Sequence, residues 1–143
     1  MNRYALILLG VALMSMKTDN DNTKMISQKW IQFATKRHDQ EKPLPVTADM
    51  AITYVLKDNN TYDEFQYNNM LKITGKWKFA DDEKKLLFIV TSLNGKDMPV
   101  FEGKPTTIIL KLTSDTLIIG NEAYYGKDAV YGHDDQYFVR AAK

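Results

Sequence analysis

The side chains in this 143-residue chain that could move a proton, hold a metal or attack a carbonyl are its 18 Asp and Glu residues, its two histidines and its hydroxyls, because it contains no Cys. The acids fall where chain direction changes. Asp81, Asp82, Glu83, Asp134 and Asp135 sit in short polar stretches, and an Asp pair in a turn most often caps backbone N–H groups rather than sharing a proton in an enclosed site. His38 lies within the charged run Lys36-Arg37-His38-Asp39-Gln40-Glu41-Lys42, and His133 within Gly132-His133-Asp134-Asp135. Neither has a second His two or four residues away, so neither begins a metal site of the usual spacing. No GxSxG elbow, GxGxxG turn or GxxxxGK[ST] loop occurs, leaving no strained nucleophile and no phosphate cradle. The expectation is a non-enzymatic protein with no catalytic residue, metal or cofactor.

Charge excludes a further class. Lys and Arg total 19 against 18 acids, for a net charge of +1, and the lysines alternate with acids instead of forming a stripe that would track a phosphate backbone. Aromatic residues remain. Tyr54, Trp77 and Phe88 share the inward parity of their segments, and they either fill a core or line an apolar pocket. Tyr124, Tyr125 and Tyr131 lie between Gly120, Gly126 and Gly132, a composition suited to a contact loop for a protein or glycan, or to a hairpin covering one end of the fold.

The elements that must position these residues read as short strands. Aromatic and β-branched stretches alternate with Asp, Asn, Gly and Pro every 10 to 15 residues, and strands are expected at 29–36, 50–56, 62–67, 71–80, 86–91, 105–112, 116–121 and 136–140. In Leu71-Lys72-Ile73-Thr74-Gly75-Lys76-Trp77-Lys78-Phe79 the apolar residues alternate with three lysines, giving one dry and one wet face. The only helical turn expected in the body is near 43–49. Eight such strands suit an antiparallel up-and-down barrel or a two-sheet sandwich.

Residues 1–16 place Arg3 before an apolar run of 11 residues from Tyr4 to Met14. That is too short to span a bilayer and has the order of a signal peptide, so the expected address is secreted or periplasmic. Met16 stands where a lipoprotein would carry its acylated Cys. Residues 17–25, polar and rich in Asp and Asn, read as a flexible tether, and 26–143 as one domain.

Trp30 in the first strand, Tyr62-Asp63-Glu64-Phe65 after an Asp-Asn turn, Gly75-Lys76-Trp77-Lys78-Phe79 and a last strand ending in Arg140 together resemble the small bacterial lipocalin-like proteins. The resemblance covers residues 26–143. It implies an eight-stranded up-and-down barrel that binds a small apolar molecule, with Trp30 stacked against Arg140 at the closed end. Gln28 stands where that family usually has Gly.

Overall fold

The computed structural model describes residues 19–122 and 135–143. Helix α1 (Asp19–Ile26) leads into β1 (Lys29–Lys36), β2 (Leu44–Pro45), β3 (Thr53–Leu56), β4 (Thr61–Gln66), β5 (Leu71–Ala80), β6 (Lys85–Leu93), β7 (Lys96–Asp97), β8 (Thr107–Leu112), β9 (Thr116–Asn121) and β10 (Asp135–Arg140). All ladders are antiparallel. β1, β3, β4, β5, β6, β8, β9 and β10 follow one another around an eight-stranded up-and-down barrel. It closes by pairing β10 with β1, from Trp30 opposite Arg140 to Lys36 opposite Asp135. Closure gives every one of these strands two neighbours, which removes the two-sheet alternative and its free edges.

The expected strands at 29–36, 71–80 and 116–121 have those bounds, and the others shift by a few residues at their ends. The largest shift is at β3. It starts at Thr53 because the Met50 and Ala51 N–H groups both donate to the Thr47 carbonyl at 3.0 Å, closing a turn. The helical turn expected over 43–49 is thereby displaced: Leu44 and Pro45 form β2 against Thr35 and Ala34. Asn94 and Gly95, at φ 48° and 80°, make the left-handed pair that a two-residue hairpin requires, and they fold β7 back on β6.

Residues 17–25 were expected to be a tether, and α1 occupies most of them. Asp21 in its first turn and Lys24 in its last suit the helix dipole, and tertiary contacts supply what the polar sequence lacks. Ile26 is fully buried. The Trp30 indole N–H donates to the Ile26 carbonyl at 2.8 Å. Gln28 uses its amide to reach the Met25 carbonyl at 2.7 Å and the Ser114 carbonyl at 3.2 Å, joining the helix to the β8–β9 turn. Asn22 donates to Glu83 in the β5–β6 turn at 2.5 Å. The helix thus seals one end of the barrel, above Trp30, Leu56, Trp77, Leu86 and Leu117, all 2% exposed or less.

Arg140 lies opposite Trp30, as the resemblance implies, but the stack does not form. The Arg140 side chain is exposed, and the one cation–ring contact among the described residues is Lys72 over Phe65, 5.6 Å from its centroid. At that end Trp30 is instead tied to the last residue of α1, through its indole N–H and the Ile26 carbonyl.

Candidate functional site

Period-two alternation decides what faces the barrel interior. On β4, Tyr62 and Glu64 are buried and Gln66 is half-buried, so this strand turns a carboxylate and an amide inward. Glu64 stands directly between Tyr54 on β3 and Ile73 on β5 in the ladders, and Tyr54 stands between Glu64 and Trp30. One row across the interior therefore reads Trp30, Tyr54, Glu64, Ile73. It runs from the end sealed by α1 toward the far end.

The aromatic part of the site is a cluster around Tyr54. Its ring stacks on Phe88 with centroids 5.4 Å apart and planes 13° apart, and it tilts against Phe138, also at 5.4 Å. Phe88 meets Tyr62 edge-on at 4.9 Å. Gly75 makes room for this: a Cβ there would lie 2.8 Å from Cε1 of Tyr62 and 2.1 Å from the carbonyl oxygen of Ile89.

The polar part is incompletely satisfied. Gln66 donates its amide to Glu64 Oε1 at 2.5 Å, and Gln32, also buried, accepts the Ile52 N–H at 3.1 Å on its side-chain oxygen. The Tyr54 and Tyr62 hydroxyls and Glu64 Oε2 make no hydrogen bond among the described residues. They are not sealed in either, since Ser27 Oγ is the only side-chain polar atom of those residues both buried and unpartnered. Burial pushes the Glu64 carboxyl above its ordinary range, partly opposed by the bond from Gln66. Burial, with the Glu64 charge second, raises both tyrosines. The six ion pairs among the described residues involve Arg37, Lys57, Lys72, Lys78 and Lys85, and none reaches Glu64.

Of the residues expected to line a pocket, the structure brings Tyr54 and Phe88 into ring contact and pairs Trp77 with Phe88 across β5 and β6. Trp77 belongs to the sealed end, where its indole N–H donates to the Lys57 carbonyl at 3.0 Å. Tyr124, Tyr125, Tyr131 and His133 lie outside the described residues, and His38 is exposed in the β1–β2 connection. Asp81, Asp82 and Glu83 form a turn in which all three have positive φ, 50° to 63°.

Glu64 was missed by sequence reasoning. Thr61, Asp63 and Phe65 are on average less polar than Tyr62, Glu64 and Gln66, so hydropathy turns the wrong face of β4 inward. The available signal was register: Tyr62 and Gly75 are a large and small pair across two strands, and they fix Glu64 inside.

Outside the barrel, Ile31, Phe33, Val46, Ala51, Val55 and Phe65 line an open groove of about 690 Å³. Among the described residues no helix is long and apolar enough to cross a membrane. No protein-family model matches this chain, and no curated protein or solved structure matches it either.

Proposed function

We propose that the barrel binds a small, largely apolar molecule against the Tyr54, Phe88 and Phe138 rings, without acting on it chemically. The signal-like sequence of residues 1–16 supports a cell-envelope location for that binding. The observation that carries the reading is an aromatic cluster with a partly open side: Tyr54 and Phe138 are buried, whereas Phe88, in ring contact with Tyr54, and Ile52 and Ile73, packed against the same core, are only partly buried. A barrel that served only as a scaffold would gain roughly 25 cal/mol for each Å² of apolar surface it covered there.

The test is native mass spectrometry on the protein recovered without denaturation, followed by uptake of N-phenyl-1-naphthylamine as an apolar fluorophore. A bound mass lost on unfolding, or uptake blocked by Ile73→Phe and unaffected by Phe33→Ser on the outer groove, supports the reading. No co-purified mass and no uptake overturns it. Uptake abolished by Phe33→Ser alone moves the site to the outer groove and overturns it equally.

A further inference from the structure

We infer that the molecule this barrel takes is a small apolar amine, whose ammonium group pairs with Glu64 while its hydrocarbon part lies against the Tyr54, Phe88 and Phe138 rings. The inference rests on the interior site proposed above and adds the chemistry of its occupant.

Three observations lead to it. First, Glu64 is 9% exposed and Tyr54 8%, so the carboxylate and the phenol opposite it are both nine-tenths buried within the barrel. Second, this carboxylate has no cation. Of the basic side chains on the flanking elements, Lys57 beyond β3 and Lys72 on β5 pair with outward-facing Asp63 at 2.8 and 3.8 Å, Lys78 pairs with Glu102, and Lys76 is exposed on the outer face. Its one bond comes from a neutral amide, leaving Oε2 and the Tyr54 hydroxyl as acceptors aimed into the interior. A buried carboxylate without a counter-charge is costly, and a ligand cation removes that cost when it binds.

Third, Glu64 stands opposite Tyr54, which belongs to an aromatic cluster. Tyr54, Tyr62 and Phe88 lie within one mutual contact set, with centroids 4.9 to 5.4 Å apart where they touch. Ring faces attract an ammonium group and also pack the carbons attached to it. A carboxylic acid ligand would meet Glu64 as a like charge. A neutral hydrocarbon would leave Oε2 unpaired in a drier environment than before. An amine satisfies both the carboxylate and the rings.

The decisive experiment is isothermal titration of the full-length protein at pH 7 with octylammonium and with octan-1-ol, two probes of matched length that differ in charge. Charge-assisted hydrogen bonds exceed neutral ones enough to give a preference of roughly tenfold or more for the amine. Glu64→Gln is expected to abolish that preference and leave octan-1-ol affinity unchanged, and Tyr54→Phe is expected to lower amine affinity by roughly tenfold, the loss of one hydrogen bond from a charged donor. Equal binding of both probes to the unaltered protein overturns the amine assignment and leaves the apolar-ligand reading intact. Binding of neither probe overturns both. An amine preference that survives in Glu64→Gln refutes the role given to this carboxylate, and the comparison of probes on the unaltered protein decides the question even if that variant does not fold.

Discussion

Gly75→Ala is the perturbation whose cost is most directly written in the coordinates. Gly75 sits on β5 where the β5–β6 register shifts: Thr74 faces Ser92 but Gly75 faces Val90, so β6 carries one extra residue at Thr91. An added Cβ would lie 2.1 Å from the Ile89 carbonyl oxygen, more than an ångström inside ordinary contact, and 2.8 Å from a Tyr62 ring carbon. The ring can tilt. The carbonyl belongs to β6 backbone and moves only with the strand. Displacing it that far takes about two ladder hydrogen bonds out of range, at about 1 kcal/mol each. Overpacking beside a filled aromatic cluster adds roughly 1 to 3 kcal/mol. The total of about 3 to 5 kcal/mol is a large share of the roughly 5 to 15 kcal/mol that holds a domain folded. Urea unfolding followed by far-ultraviolet circular dichroism and by tryptophan fluorescence measures it, and thermal unfolding is expected to show a fall in Tm of about 10 °C or more. A loss below about 1 kcal/mol with an unchanged m-value would refute the reasoning, since it would mean that β5 and β6 separate freely at the bulge.

The remaining predictions concern the sealed end, a turn and the buried acid. Ile26→Ala removes a fully buried side chain beneath Trp30 and should destabilise the barrel by about 2 to 4 kcal/mol, with tryptophan emission moving to the red; unaltered stability would mean that α1 is not part of the fold. Asp82→Gly relieves a residue held at φ 53° in a turn of three left-handed residues and should stabilise by about 0.5 to 1 kcal/mol in thermal unfolding, whereas Asp82→Val should destabilise. Glu64 carries a pH signature: burial raises its folded-state pKa above the ordinary 4.5, so across that window the native state binds more protons than the unfolded chain. The contribution of this group to stability then falls as pH rises from about 4.5 through the raised value, and is level above it. Urea unfolding at several pH values should show Glu64→Gln gaining on the unaltered protein as pH rises; parallel profiles would mean that the carboxyl is effectively solvated.

The barrel was legible because most of its strands carry their own local evidence, β4 being the exception. In β5 the alternation of Leu71, Ile73, Trp77 and Phe79 with lysines names the buried face without reference to a partner, and the hairpin at Ser114-Asp115 places β8 against β9. Closure was not legible, because the register of β10 on β1 depends on contacts a hundred residues apart along the chain. Helix α1 was not legible for a related reason. Residues 19–24 have no apolar stripe, and the helix is held by Ile26, by the Trp30 indole and by the Gln28 amide, none of which marks a helix until the barrel end is present to receive it. Asn94-Gly95 carries the signal of a two-residue hairpin, but no strand was expected after it, so β7 was missed. In the candidate site, Tyr54 and Phe88 followed from parity, while Trp77, of the same parity, went to the sealed end, because parity gives the face of a residue and not its height along the barrel axis.

Glu64 brings fold and function to one residue. A strand in a small barrel has few inward positions, and on β4 they are held by Tyr62, Glu64 and Gln66. If stability alone set the inward residues, the middle of these three would be apolar like its cross-strand neighbour Ile73, since a buried carboxylate without a cation lowers stability and an aliphatic chain of similar size raises it. The surrounding residues do not offset that cost, because none of the ion pairs among the described residues reaches Glu64, and Lys57 and Lys72 are engaged with half-buried Asp63. What Gly75 contributes, by admitting the Tyr62 ring beside β6, is a fixed aromatic floor under this acid. A destabilising charge held opposite Tyr54 and beside partly buried Ile73 is the arrangement expected of a group whose partner arrives from solution.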